Sequence, residues 1–174
     1  MEKKFTFYRG KIGLRPPKKE DISKLVSIYE QGEHLRFVHM GKSDPETRAR
    51  LFVKWSKEFD PEYLNFVITY LKEVVGEFDI YLPHRVNLQT KIKDYMFTIF
   101  IEKDKTSKGI GEEVITILKE KIMPLLEINV IIALVHPSNK KMQNFITRQG
   151  FKLEKPNCKI NSIYYNNYTY RLSL

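Results

Sequence analysis

The chain has a single cysteine, Cys158, in 174 residues. That excludes an internal disulfide and leaves too few thiols for a zinc cluster. No apolar run approaches the roughly 20 residues that cross a bilayer. The charged opening Met1-Glu2-Lys3-Lys4 lacks the apolar stretch of a secretory leader. Repeats, low-complexity tracts and linkers are missing too, so one domain is expected over residues 1–174. Together these absences point to a cytoplasmic protein with no metal.

Apolar residues make up 42% of the chain and aromatics 13%, enough to fill a core. The formal charge of +9 attracts nucleic acid, acidic partners or a polyanionic cofactor. The lysines are spread along the chain instead of gathered in an arm, and so read first as a solvated surface.

Ile12–Arg15 reads as a short strand stopped by Pro16-Pro17. Ile22, Leu25, Val26 and Tyr29 then fall on one helical face, with Glu20 and Asp21 at its start. Residues 31–42 lack any period and read as a loop. Asp44 as N-cap and Pro45 at the first helical position open a second helix, with Phe52, Trp55 and Phe59 as its apolar stripe and Asp60-Pro61 as its end. Strands are expected at Leu64–Leu71 and Val74–Leu82, joined at Lys72-Glu73, and at Tyr95–Glu102. A third helix begins at Gly109 or Gly111, buries Ile110, Val114, Ile117, Leu118 and Ile122, and breaks at Pro124. Val130–Val135 is a strand covered on both faces. Ser138 or Asn139 caps a fourth helix, whose Met142, Phe145 and Ile146 point inward and whose C′ glycine is Gly150. Residues 152–174 add two strands, the last at Tyr168–Leu172. The order β-α-α-β-β-β-α-β-α-β-β implies an α+β fold: a mixed, largely antiparallel sheet flanked by four helices, with Tyr95–Glu102 and Val130–Val135 parallel.

Between the central strand and the third helix lies Lys105-Thr106-Ser107-Lys108-Gly109-Ile110-Gly111. Unpaired amides at a helix start, reinforced by the dipole, form a seat for phosphate, and glycines let it approach the backbone. Lys105, Lys108 and the Ser107 hydroxyl add charge or donors. A dinucleotide fingerprint needs a small residue where Val114 stands, and a P-loop needs a Gly-Lys-Ser/Thr end that is lacking. Coenzyme A remains, beside the plain alternative of a tight turn with no ligand.

The segment after the apolar strand adds Val135-His136-Pro137-Ser138-Asn139 and then, past the apolar helix face, Gly150-Phe151. With Lys108-Gly109-Ile110-Gly111 before it, this resembles the GNAT superfamily of N-acetyltransferases, similar to its ribosomal-protein N-terminal and aminoglycoside acetyltransferase-like members. Leu14-Arg15-Pro16 followed by Glu20-Asp21 also resembles the opening of many members. The resemblance implies a sheet splayed between the fourth and fifth expected strands, the central one bulged. Acetyl-coenzyme A is held there: its pantetheine arm on backbone near Phe100 and Ile101, its pyrophosphate on Lys105, Thr106, Ser107, Lys108, Gly109, Ile110 and Gly111. Asn139 and Asn144 are assigned to the cofactor by the same resemblance. Three positions depart from it. Thr106 stands where Gln or Arg is usual, and Met142, in place of a small residue, would set its helix further from its neighbours. Ile146 occupies the position of a tyrosine acid, as in several relatives that also lack one.

The chemistry so implied is direct attack of a neutral primary amine on a thioester: a protein N-terminus, a lysine or a small-molecule amine. An ammonium must first lose a proton, so a base or proton path is needed. Glu77, inside a strand and on one face with Asp79, is one candidate; its plain alternative is a solvated strand face. Asp94 and Tyr95, at the start of the central strand, are the others. His136 beside the cleft and His34 and His39 in the first interhelical loop are lesser ones, and Cys158 reads as packing. Two other functions compete: a catalytically silent acyl-coenzyme A-binding module, suggested by Ile146, and a basic nucleic-acid-binding domain in which Tyr164, Tyr165, Tyr168 and Tyr170 stack bases. Monomer and homodimer are both open.

Overall fold

A computed structural model describes residues 5–31, 44–56, 60–86, 93–159 and 166–174. Its sheet contains eight strands: β1 (Phe7–Arg9), β2 (Ile12–Arg15), β3 (Tyr63–Tyr70), β4 (Glu73–Tyr81), β5 (Tyr95–Ile101), β6 (Val130–Val135), β7 (Lys152–Lys159) and β8 (Asn166–Ser173). They run in the order β1-β2-β3-β4-β5-β6-β8-β7. All neighbours are antiparallel except β5 and β6. The α+β fold is thus as expected, with one strand more: β1 pairs back onto β2 through a turn at Gly10, whose φ is +55°. Three residues give too short an alternation to be read.

The helices are α1 (Ile22–Glu30), α2 (Pro45–Trp55), α3, beginning as Ile110–Ile117, and α4 (Lys140–Arg148). On one face of the sheet α1 and α2 bury Leu25, Ile28, Tyr29, Ala49, Phe52 and Val53 against Val67, Val74 and Phe100. The other face holds the larger core, where Ile110, Val114, Ile117 and Ile146 meet Phe66, Ile68, Phe78, Ile80 and Phe97. Covering on both faces is why β3 and β6 read as nearly continuous apolar runs.

Capping follows the sequence. The Asp44 side chain accepts from the Thr47 amide, with Pro45 at N1. Asn139, the one of the two candidates that caps α4, accepts from the Met142 amide. Gly150 sits at φ +90°, and the Gly150 and Phe151 amides donate to Thr147 and Ile146, a Schellman closure.

Four local expectations are corrected. Trp55 is half-exposed, packed edge-on against Tyr63 at 5.7 Å, because the buried stripe of α2 is Ala49, Phe52 and Val53; Phe59 lies outside the described residues. The described part of α2 closes at Trp55, well before Asp60-Pro61. The third helix runs past Pro124 to Leu125, through a π-helical stretch at Leu118–Ile122. The wider turn lets in a ring that would collide with a carbonyl one straight α-turn earlier. The β3–β4 turn is Leu71-Lys72, since Tyr70 already pairs with Glu73. Leu71 looked like strand only because it is apolar; it is exposed, at φ +51°, with Lys72 at +73°.

Two non-glycine residues held left-handed in a two-residue hairpin carry removable strain. Replacing Leu71-Lys72 by Asn-Gly is expected to raise stability by about 1 kcal/mol, read as a higher urea midpoint with an unchanged slope.

Candidate active site

The parallel pairing of β5 with β6 covers only Tyr95 with Ile131 and Met96 with Ile132. Beyond Met96 the strands part: Phe97–Ile101 stays paired to β4 on one side, and Ala133–Val135 to β8 on the other. Among the described residues no strand lies between these facing edges, so the sheet contains a V-shaped opening. The irregularity that accompanies it lies one strand away from where it was expected. The β4–β5 register is regular, whereas the β3–β4 register shifts between Ile68 and Thr69, leaving Val75 as the extra residue in β4.

Past its last strand residue, the chain makes a tight turn at Lys103–Lys105, closed by Thr106 donating its amide and its hydroxyl to Lys103 O. Ser107 and Gly109 are both left-handed, at φ +68° and +75°. Gly109 caps α3 with no side chain accepting from the first turn. The amides of Ile110, Gly111 and Glu112 thus have no acceptor within the helix. Each glycine has its own physical reason: Gly109 its left-handed backbone, Gly111 a close contact, since a Cβ there would lie 3.1 Å from Phe145.

Beside this opening, on the α1–α2 face, the solvated-strand reading of Glu77 and Asp79 fails: both are buried. Glu77 is fully enclosed, with the Tyr29 hydroxyl and the Arg48 guanidinium donating to its two oxygens. Burial opposes the charge on Arg48, but Glu77, Tyr29 and Asp79 outweigh it and hold its pKa above the usual guanidinium range. The guanidinium also lies 4.7 Å from the Tyr29 ring centroid. Burial, then the charge of Glu77, pushes the Tyr29 phenol up. Glu77 pairs with Phe100 and Asp79 with Thr98, so both stand behind the part of β5 that has left β6.

Asp94 and Tyr95 lie at the closed end of the V. The Asp94 carboxylate accepts from Arg171 at 2.9 Å, and the Tyr95 hydroxyl donates to Pro61 O at 3.1 Å. Burial, with Glu62 and Asp60 nearby, raises the Tyr95 pKa. His136 sits at the β6 exit, its Nδ1 accepting from the Ser138 amide at 3.1 Å. Asn139 spends Oδ1 on its cap, which leaves Nδ2 as a donor, while Asn144 is exposed on α4. Ile146 is entirely within the core. His34, His39, Tyr164 and Tyr165 fall outside the described residues; Tyr170 is core.

Residues missed in the sequence are Arg48, Tyr29 as a polar group, Lys24 and Gln31. Lys24 (2.6 Å) and Gln31 (3.2 Å) donate to Glu102, which is buried at the exit of β5. Burial works against the Glu102 charge, yet Lys24 and Gln31 hold its pKa below the usual range. A signal for Arg48 did exist: it stands one turn before Phe52 on the helix, facing a sheet that carries Glu77.

Residues 11–152 match the acetyltransferase (GNAT) domain family, and the chain belongs to it. It is accordingly an acyltransferase with acetyl-coenzyme A as donor. Among solved structures, Mycobacterium smegmatis RimJ in complex with coenzyme A disulfide is similar at 17% identity and a TM-score of 0.71, covering 93% of this chain and 81% of that one. The microcin C7 self-immunity acetyltransferase MccE, with acetyl-coenzyme A and AMP, gives 16%, 0.71, 95% and 94%. RimL, the ribosomal L7/L12 alpha-N-protein acetyltransferase, gives 13%, 0.74, 98% and 100%. No curated protein matches the sequence.

Proposed function

We propose that this enzyme transfers the acetyl group directly to a primary amine, with the donor lying in the V between β5 and β6. The supporting observation is the two-residue limit of the β5–β6 pairing, with the uncapped start of α3 beyond the free end of β5. The residues fit the donor. The β5 edge at Phe100 and Ile101, past the end of the pairing with β6, suits an extended amide-bearing arm, as an added strand would. Ser107, Lys108, Gly109, Ile110 and Gly111, with Lys105 and Thr106 before them, suit a diphosphate through amides, dipole and cationic side chains. Asn139 offers Nδ2 to the arm, and Asn144 lies one helical turn further along α4. Bound acetyl-coenzyme A supplies an activated thioester acetyl group.

The chain's own part is to seat the amine, exclude water and remove a proton. Glu77 is the one of Glu77, Asp94 and Tyr95 that borders the part of β5 that has left β6. Tyr29 and Arg48, donating to its two oxygens, hold its carboxylate in place beside that stretch. Ribosomal-protein N-termini are one acceptor class suggested by the names of RimJ and RimL, and small-molecule amines are another, suggested by MccE. Placing the protein in the cytoplasm belongs to the same proposal; among the described residues no helix is long and apolar enough to cross a membrane.

Gly109→Val tests the phosphate seat. A Cβ at this position meets only a Glu112 oxygen at 3.6 Å, so the change acts through the left-handed backbone. Coenzyme A affinity by calorimetry is expected to fall at least about tenfold, a cost of about 1.4 kcal/mol. Unchanged affinity, or wild-type protein releasing no free thiol with any amine class, refutes the reading; binding without transfer would instead favour the silent module.

A further inference from the structure

Where β5 ends, the chain is held from two sides. Toward β4 the Glu102 amide donates to Val75 O at 2.7 Å. Toward α1 the Glu102 Oε1 accepts from Lys24 at 2.6 Å and from Gln31 at 3.2 Å, while Oε2 is buried with no hydrogen-bond partner among the described residues. The hold of α1 on this carboxylate thus rests on one oxygen. Lys24 and Gln31 lie about two helical turns apart, and so stand on one face. Gln31, the C-cap of α1, makes a second contact: its Oε1 accepts from the Lys103 amide at 3.2 Å. Its head group offers a donor to Glu102 and an acceptor to Lys103, which an ionised carboxylate, an ammonium or an apolar end cannot do.

The peptide unit that joins Glu102 to Lys103 is planar and turns as one piece. Its carbonyl accepts from the Lys105 amide at 2.9 Å and its N–H donates to Gln31, so the plane is pinned on both sides. The Lys103 carbonyl in turn holds the Thr106 amide at 3.2 Å and the Thr106 hydroxyl at 2.8 Å. Ser107 and Gly109, the two left-handed residues before α3, follow directly. A tilt at Lys103 is therefore passed through Thr106 to the amides at the head of α3. The last turn of α1 also contributes Tyr29, which donates to Glu77 and packs edge-on against Phe100 at 6.3 Å. One helical turn thus registers β4, the end of β5 and the loop beyond it.

We propose that Gln31 is a positioning residue for the donor: acting through Glu102 and Lys103, it sets the direction in which the chain leaves β5, and so the aim of the α3 amides at the diphosphate. This rests on the acetyltransferase reading and deepens it. Gln31 touches none of the residues that suit the diphosphate, and its effect reaches them only along the loop. A diphosphate is remote from the reacting carbonyl, so its seat holds ground state and transition state alike. Loosening that seat raises the KM for the donor and leaves kcat where it was.

The test compares whole wild-type protein with Gln31→Met and Gln31→Glu by calorimetric titration with coenzyme A and by steady-state kinetics. Gln31→Met, apolar and of similar length, should bind coenzyme A at least about fivefold more weakly. Its KM for acetyl-coenzyme A should rise by a like factor, with kcat and the amine KM within about twofold of wild type. In the unloaded variant the Lys103 amide should exchange with deuterium faster than in wild type. Equal coenzyme A affinity, or a loss in kcat alone, overturns the proposal. Gln31→Glu keeps an acceptor for Lys103 but sets a second carboxylate against Glu102, with Lys24 and Lys105 as the cations nearby. Relative to wild type, its coenzyme A affinity should recover from about pH 8 down to about pH 5, where a shared proton restores the lost donor; a loss that ignores pH contradicts the pairing. Both variants are expected to fold, since Gln31 is only half-buried at a helix end, and thermal melts check this. Wild type that itself fails to bind coenzyme A takes down the acetyltransferase reading. Wild type that binds it no better than Gln31→Met takes down the positioning role alone.

Discussion

Gly76→Ala is expected to destabilise the protein by about 3 kcal/mol or more and to abolish tight coenzyme A binding. A Cβ at position 76 would stand 2.0 Å from the Phe100 carbonyl oxygen and 3.1 Å from Ile101 Cα. Both are backbone atoms, so no rotamer change relieves the overlap, and β4 and β5 must move apart. The displacement falls where it matters most. Gly76 pairs with Ile101, and the preceding bulge residue Val75 accepts from the Glu102 amide at 2.7 Å. Those contacts fix the end of β5 and the entry to the loop before α3. Urea unfolding measures the stability loss, and calorimetric titration with coenzyme A measures the second effect. A variant that kept both wild-type midpoint and wild-type affinity would mean that the bulge does not set the cleft.

That dependence also shows what could be read before the structure and what could not. Strand Val130–Val135, the caps at Asp44 and Asn139 and the closure at Gly150 were legible because each is decided within a few residues by hydrogen bonding or backbone conformation. The turn before α3 was legible for the same reason: a glycine left-handed at the head of α3 announces itself in Lys108-Gly109-Ile110-Gly111. The role of Gly76 was not, because the atom it avoids belongs to a strand 24 residues on in sequence. The buried cluster was hidden for a related reason. Glu77 and Asp79 alternate with apolar neighbours as any solvated face would, and only the docking of α1 and α2 converts that face into an interior. Tyr95, with Asp94 just before it, opens the strand that borders the cleft, and sequence position alone does not say at which end the V opens.

Arg48→Met is the second large effect, expected at about 3–5 kcal/mol. The Arg48 side chain is 18% exposed and that of Glu77 0%, so the pair is held in an interior where each charge depends on the other. Methionine fills much of the volume but leaves Glu77 with only the Tyr29 hydroxyl, an uncompensated carboxylate in the core. If that is the source of the loss, it is conditional. Adding Glu77→Gln to Arg48→Met removes the stranded charge, and the double variant should recover more than half of the lost stability in thermal melts. Simple loss of packing predicts no such recovery, since glutamine restores no contact that arginine made. Activity should not return with stability, because Glu77→Gln also removes the carboxylate proposed to act as base beside the cleft. Recovery of the fold without recovery of turnover thus separates two roles of one ion pair, joining α2 to the sheet and holding a carboxylate beside the cleft.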